Sequence, residues 1–381
     1  MADATEVRRC SFCVMDTTVP GLVFDSEGRC DRCRALVAIR GREWFVDDSG
    51  AALLEASLAH LRDTGNSEYS CVLGVSGGVD SSYLALKLHD WGVRPLVVHI
   101  DAGWNSELAV KNIERILDHT GWELHTHVVN WNDMRRLQLA YLRAGVSNQD
   151  VPQDHAFFAA LYHFATAHGI RHVISGGNFA SEGIGPAGWH HSAMDSKNIK
   201  AIWKAFGDGD LQDYPTISFA QYYLWYPRVK RMTTVRPLNW IPYNGDDAVA
   251  ELEARIGYRR YERKHGESIF TKYFQNHYLP TRFGYDMRKP HLSSLIVSGQ
   301  RSRDQALREL DEPLYDRDEL ARDERYLIRK LRISESEFQA LMGAPTRDAR
   351  EFPNWDREWR LAKSTQARME RLLGRRLNVY S

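Results

Sequence analysis

The chain has 381 residues, 50 Lys+Arg against 50 Asp+Glu, and 43% hydrophobic residues. That length leaves room for two or three domains and a sizeable core, and the balanced charge gives no bulk attraction to nucleic acid or to a membrane surface. No apolar run approaches the roughly 20 residues a membrane span needs, and Met1-Ala2-Asp3-Ala4-Thr5-Glu6 lacks the basic flank and apolar stretch of a secretory leader, so a cytoplasmic protein is expected.

Four of the five cysteines stand at the start of the chain as Cys10-x2-Cys13 and Cys30-x2-Cys33. Each pair forms a knuckle presenting two thiolates to one side, and two knuckles supply the closed tetrahedral shell of a structural Zn2+. A module this small has too little core to fold unaided, so metal binding contributes its folding free energy. The competing reading is two disulfides, which a chain without secretion signals disfavours. Cys71 opens a buried strand and reads as core.

Apolar strands at 71–75, 95–100, 124–129 and 172–175 alternate with helical patterns near 81–91, 107–119, 132–143 and 154–168. Asn132 and Asp154 suit the N-cap positions of the last two helices. This rhythm predicts βαβ units, right-handed crossovers and a doubly wound parallel sheet whose ligand sits at the carboxyl ends of the strands. After the first strand come Ser76, Gly77, Gly78, Val79, Asp80, Ser81 and Ser82, opening a helix carried by Leu84, Leu88 and Trp91. The glycines permit a sharp turn, the helix start turns unpaired N–H groups and its positive dipole end toward an anion, and the serines add hydroxyl donors. Lacking the Lys of GxxxxGK[ST], this is a pyrophosphate cradle rather than a grip on a terminal phosphate. Past the second strand, Asp101 is placed to bond a ribose or stand near phosphate-bound Mg2+, against a plain turn role. Past the fourth, Gly176 and Gly177 permit close approach to a nucleotide, again against a plain turn.

Residues 184–234 break the rhythm with Gly185, Pro186, Gly188, Trp189-His190-His191 and a run of aromatics, the pattern of a substrate lid or an interface. Side chains of adjacent residues diverge, so packing or substrate contact is favoured over metal binding for the two histidines. Val235-Arg236-Pro237-Leu238 and a helix from Asp246 through Ile256 read as a last strand-and-helix unit, and beyond about residue 260 the chain becomes helical and charge-laced. Arg288 and Lys289, beside Pro290 and His291, are candidate cations opposite the phosphate loop, against a bland helix-terminus reading. The domain boundaries expected are 1–45 for a zinc ribbon, 46–260 for the sheet domain with its insertion, and 261–381 for a helical region completing the site.

Ser76-Gly-Gly-Val-Asp-Ser-Ser82 resembles the signature of the PP-loop ATP pyrophosphatases. From position 10 to about 310 the chain resembles, more narrowly, the N-acetyl sugar amidotransferases of that superfamily, found in bacterial surface-polysaccharide pathways. The matching pieces are the cysteine pairs with Pro20-Gly-Leu-Val-Phe-Asp25 between them, the loop itself, Asp101-Ala-Gly-Trp-Asn105, Val151-Pro-Gln-Asp-His155, Gly176-Gly-Asn178 and Lys289-Pro-His-Leu-Ser-Ser-Leu-Ile296. The resemblance implies a PP-loop, adenine nucleotide α-hydrolase-like fold and an activity in which ATP adenylates the acetamido oxygen of a nucleotide-activated sugar. Ammonia then displaces AMP to give an acetamidine. Asp80, Arg288 and Lys289 would serve activation with Mg2+. Gln153, Asp154, His155, Asn178 and Glu182 would lie near the sugar amide, with Asp154 or His155 accepting a proton from ammonia. The chain shows no glutaminase nucleophile of its own, so the resemblance also implies a separate glutamine amidotransferase subunit. Two rivals are a PP-loop tRNA thiolase, which needs reactive cysteines near the nucleotide, and a catalytically silent nucleotide-binding scaffold.

Overall fold

The computed structural model describes residues 7–65, 68–185 and 189–373, so the leader reading at residues 1–6 and the turn residues Pro186 and Gly188 lie outside the described residues. Five strands, β1 (Cys71–Gly74), β2 (Pro95–Asp101), β3 (Leu124–Val128), β4 (His172–Ile174) and β5 (Thr233–Val235), pair in the order β3-β2-β1-β4-β5, every pair parallel. β1 and β2 are buried almost throughout, which explains why they read as unbroken apolar runs rather than alternating ones. The last strand lies slightly before its expected position. Pro237 cannot donate to a ladder, so pairing stops at Val235 and Pro237–Asn239 turns instead.

In the ribbon and sheet, α1 (Asp31–Ile39) and α2 (Asp48–Thr64) precede β1, α3 (Val79–Asp90) links β1 to β2, and α4 (Glu107–Thr120) links β2 to β3. The crossover from β3 to β4 uses α5 (Trp131–Ala144) and α6 (Val151–Ala167). Neither starts where the sequence reading put it. Asn130 caps α5, its Oδ1 accepting from the backbone N–H of Asn132 (3.0 Å) and Asp133 (3.3 Å), so Asn132 lies inside the first turn. α6 follows Asp150 and carries Pro152 in its first turn, where a missing N–H costs nothing, so Asp154 is likewise internal.

The short helix α7 (Phe179–Glu182) follows β4, and α8 (Ser196–Phe206) lies within the insertion. The insertion is largely structural: Ile199, Ile202, Tyr214, Ile217 and Tyr226 are buried with residues of α5 and α6 in one apolar cluster. His191 Nε2 lies 2.7 Å from Asp195. His190 is held neutral, its ring pushed down to about 4 by burial. Among the described residues neither joins a group arranged to hold a metal. α9 (Gly245–Ile256) is capped by Asn244 and stopped by Gly257 at φ +67°. The helical region then runs through α10 (Ile269–Tyr273), α11 (Leu279–Phe283), α12 (Arg288–Ser298), α13 (Arg303–Asp311), α14 (Arg317–Leu331), α15 (Glu335–Gly343) and α16 (Asp356–Leu373).

The N-terminal ribbon shares the sheet's core: its four cysteines, Met15, Leu36 and Trp44 are buried in the same cluster as Leu73, Leu84, Leu88 and Leu238. Cys10 Sγ lies 3.8 Å from Cys33 Sγ and Cys13 Sγ 3.5 Å from Cys30 Sγ. Four sulfurs about 2.3 Å from one Zn2+ would stand about 3.8 Å apart, so the donors fit a closed zinc shell. Hydrogen bonds from Cys13 and then Cys33 draw the Cys30 thiol below its usual range, the direction that favours a metal-ligating thiolate.

Candidate functional site

Strand order reverses between β1 and β4, so the loops after those strands splay apart at the carboxyl edge of the sheet and face a cavity of about 560 Å3. Ser76, Gly78, Val79, Asp80 and Ser81 form one side of it, with Gly176, Gly177 and Glu182 from the β4 side. Two glycines are required here. Gly77 adopts φ +79°, and a Cβ on it would fall 2.6 Å from the carbonyl oxygen of Ala109. A Cβ on Gly176 would stand 3.1 Å from the backbone of Asp80. The hydroxyls of Ser76 and Ser81 lie 3.1 Å apart, and Ser76 Oγ accepts from the N–H of Gly78 at 3.2 Å. Ser82 is buried one turn down and supports the loop. At the start of α3 the first backbone N–H groups have no intrahelical acceptor, and with these hydroxyls they offer an anion a ring of donors.

Asp80 stands in the first turn of α3 beside this ring. Tyr243 donates its hydroxyl to the carboxylate. Burial, and then the charge of Glu182, push the Asp80 carboxyl up to about 6. The residue is part-open to the cavity by surface area although closely surrounded. Two crowded carboxylates beside a phosphate cradle are the chemistry of a hard divalent cation, so Asp80 and Glu182 fit Mg2+.

The opposite wall is residues 257–268, which form turns where the sequence predicts helix from about residue 260, the helical region beginning only at Ile269. Tyr258 and Tyr261 donate their hydroxyls to the Gly77 carbonyl at 3.1 and 2.8 Å, clamping this segment onto the phosphate loop. Its cations differ in how firmly they are held. Arg260 pairs with Asp246 at 2.8 Å, and Arg263 donates to the Leu314 carbonyl at 2.8 Å. Lys264 has a loose 3.5 Å contact with Glu182, stands 3.1 Å from His291 Nδ1 and borders the cavity mouth. His291 lies behind it, donating Nδ1–H to the Ser181 carbonyl at 2.9 Å, and burial followed by the Lys264 charge hold its ring down to about 3. The signal was present in the sequence as Tyr258-Arg-Arg-Tyr-Glu-Arg-Lys-His-Gly-Glu267, a dense cationic stretch just past the glycine stop of a helix.

Several candidates from the sequence stand elsewhere. Lys289 points away from the loop: its Nζ lies 2.7 Å from Asp16 and 2.8 Å from Thr18 Oγ1. Burial would raise the Asp16 carboxyl, but Lys289 and Thr18 outweigh it and hold it below the usual range. Lys289 is therefore a strap between ribbon and α12. Arg288 reaches the cavity rim, yet its guanidinium is spent on Asp286 and on the carbonyls of Glu309, Leu310 and Glu312 at the end of α13. It caps a helix. Gln153 is buried, donating to Asp150 and Thr271, both at 2.6 Å. His155 faces the insertion, between the Ala193 carbonyl (2.9 Å) and the Ile217 N–H (3.0 Å), because successive side chains on α6 diverge. Asn178 caps α7 by accepting from the Ser181 N–H at 2.9 Å. Asp101 closes its own turn, accepting from the Gly103 N–H at 2.7 Å and Asn105 Nδ2 at 3.1 Å. Asp154 does not line the cavity; its carboxyl is raised to about 7 by burial and pulled back by His265. Cys71 is fully buried, and burial pushes its thiol up to about 12.

Comparisons with known proteins bear on the helical region first. Residues 267–366, which contain α10–α15, match the family described as LPS biosynthesis protein WbpG-like, C-terminal domain. No curated protein matches the chain. Among solved structures, NAD+ synthetase from Burkholderia pseudomallei is similar at 19% identity over 61% of this chain and 96% of its own, with a TM-score of 0.26, too low to carry an argument. Among the described residues no helix is long and apolar enough to cross a membrane.

Proposed function

We propose that the protein is a cytoplasmic ATP-dependent amidotransferase that adenylates the acetamido oxygen of a nucleotide-activated N-acetyl sugar and replaces it with ammonia, releasing AMP and pyrophosphate. The observation that carries this reading is the Ser76–Ser82 loop at the switch point, its helix-start N–H groups and Asp80 converging on one cavity. The match of residues 267–366, which bring His291, Arg301 and Glu309 to the cavity, to an LPS-biosynthesis domain supports the sugar as substrate class. An amide carbonyl is a poor electrophile, so its oxygen must first become a leaving group. The loop binds the departing pyrophosphate, and Lys264 faces the charge that builds there. Bound by Asp80 and Glu182, Mg2+ would neutralise phosphate charge. A thiolase role lacks a reactive sulfur, since Cys71 is protonated and enclosed.

The test is mass spectrometry of a reaction with ATP, ammonium and a panel of UDP-N-acetyl sugars. Replacement of the amide oxygen by an imino nitrogen, with AMP as co-product, is the expected result; ADP as product refutes the reaction class. Lys264→Ala should slow AMP formation by about 100-fold, the typical cost of losing one preorganised charge partner. Lys289→Ala, at a strap, should lower the Tm and leave AMP formation per folded molecule near the parental rate.

Ammonia supply gives a further expectation. The isolated protein should aminate its sugar with ammonium, better at alkaline pH where more free NH3 exists, and should not use glutamine until a separate glutaminase subunit is added. Glutamine-driven turnover by the purified chain alone, lost in Cys71→Ala, would overturn the two-protein scheme.

A further inference from the structure

His265 is one of three non-glycine residues with a left-handed backbone among the described residues, at φ +62°, and it borders the cavity. Such a conformation is strained for a residue with a Cβ and persists only where the surroundings impose it. They do so here. Ser106 N–H donates to the Glu267 carbonyl at 2.8 Å and Ile269 N–H to the Trp104 carbonyl at 3.0 Å, while Tyr258 and Tyr261 pin the other end of the segment to Gly77. Gly266 is forced as well, because a Cβ there would lie 2.8 Å from the Tyr261 ring. The imposed turn brings His265 Nδ1 to 3.5 Å from Glu267 Oε1. Burial would raise the Glu267 carboxyl, but His265 outweighs it and holds the carboxyl below its usual range. With the carboxylate on the Nδ1 side of the ring, Nε2 is the ring nitrogen turned away from it.

We propose that His265, oriented by Glu267, is the base of the amination half of the reaction. This role rests on the amidotransferase reading above. Ammonia attacks the carbon of the adenylated amide, whose nitrogen keeps its hydrogen, and a C–N bond forms with the positive charge on the new nitrogen. His265 Nε2 takes one proton from that nitrogen. The C–O bond then breaks, its electron pair leaves on the phosphate oxygen of AMP, and the product is an amidinium. The imidazolium returns its proton to water. The groups that face the ring are Glu267 and Lys264 from its own segment, Asp154 from α6 and His291 from α12. Of these, Asp154 and Glu267 stabilise the imidazolium formed in the step. Glu267 acts as a positioning residue.

The experiment separates the half-reactions in the full-length zinc-loaded protein. Pyrophosphate–ATP exchange with the UDP-N-acetyl sugar that turns over reports adenylation, and amidine formation with ammonium reports the second half. Asn tolerates positive φ, so His265→Asn keeps the turn while removing the base. It should retain parental exchange and lose amidine formation by about 100-fold or more, the usual worth of a positioned base. Added imidazole should restore amidine formation in His265→Gly, and Glu267→Gln should lower kcat without raising the KM for ammonium. Exchange and amination falling together in His265→Asn, or amination unchanged, overturns the role. A parent protein with no exchange on any sugar of the panel fails earlier, overturning the adenylation chemistry and this role with it.

Discussion

Replacing Asp80 by alanine is expected to lower AMP and pyrophosphate release by about 1,000-fold or more, the scale of losing a preorganised charge-stabilising group together with a metal ligand. The same change should leave the fold intact and slightly more stable near neutral pH. The sign follows from the raised carboxyl. Burial first, and Glu182 second, lift Asp80 from 3.8 to about 6, so between those values the folded state binds the proton more tightly than the unfolded chain. Stability is therefore lost as pH rises through that window, and above about 6 the ionised carboxylate, buried beside Glu182, is a standing cost to the fold. Alanine removes the cost. The loop does not depend on this carboxylate, because Gly78 occupies the N-cap without a side-chain bond and the Ser76–Ser81 contacts remain. Chromatographic measurement of AMP beside a melting curve at pH 7.5 checks both halves. Parental AMP release would remove Asp80 from the mechanism, and a collapsed melting curve would make it a structural residue.

The same shift ties Mg2+ to pH. Protonated Asp80 is no ligand, so the Mg2+ concentration needed for half-maximal AMP formation should rise as pH falls below about 6. A flat Mg2+ requirement across that range would assign the metal to other groups.

How far the site could be read from the sequence depended on whether its residues act locally. The phosphate loop was legible because strand, glycines and helix start are consecutive, and the cysteine pairs because each knuckle is a four-residue unit. The cations were not. Lys289 and Lys264 both lie in cationic stretches without useful periodicity. What separates them is tertiary: Asp16 and Thr18, far back in the ribbon, claim Lys289, whereas Lys264 meets Glu182 at 3.5 Å and His291 Nδ1 at 3.1 Å beside the cavity. Residues 257–268 form no helix or strand, and periodicity says nothing about such a segment. Its position follows from two tyrosine hydroxyls on Gly77 and two backbone bonds to the loop after β2. Asp154 and His155 show the other limit. They are neighbours in sequence, yet α6 turns one toward His265 and the other into the insertion.

The ribbon carries the second large effect. Cys30→Ser, or prolonged chelation, should remove one tightly bound Zn2+ per chain and lower the Tm by many degrees, because apparent zinc-binding free energies of about 10–16 kcal/mol in small modules are folding free energy. Cys30 is the most damaging choice among the four. Its sulfur caps α1 by accepting from the Cys33 N–H at 3.4 Å and lies 3.5 Å from Cys13 Sγ. The loss should also reach the cavity. Arg303 donates to the carbonyls of Cys10 (3.0 Å) and Cys13 (3.2 Å), Lys289 ties Asp16 to α12, and Leu36 packs where a Cβ on Gly183 would fall, just past α7. α7 and α12 in turn hold Glu182 and His291 at the cavity. An unfolded ribbon therefore loosens one wall of the site, and AMP formation should fall with the metal although no zinc ligand touches the phosphate loop. Metal analysis of freshly purified protein, melting curves with and without chelator, and AMP release at a temperature where both forms stay folded together test this. Protein free of zinc yet melting like the parent would show the four thiols to be packing alone, and full AMP release after zinc loss would confine the ribbon to stability.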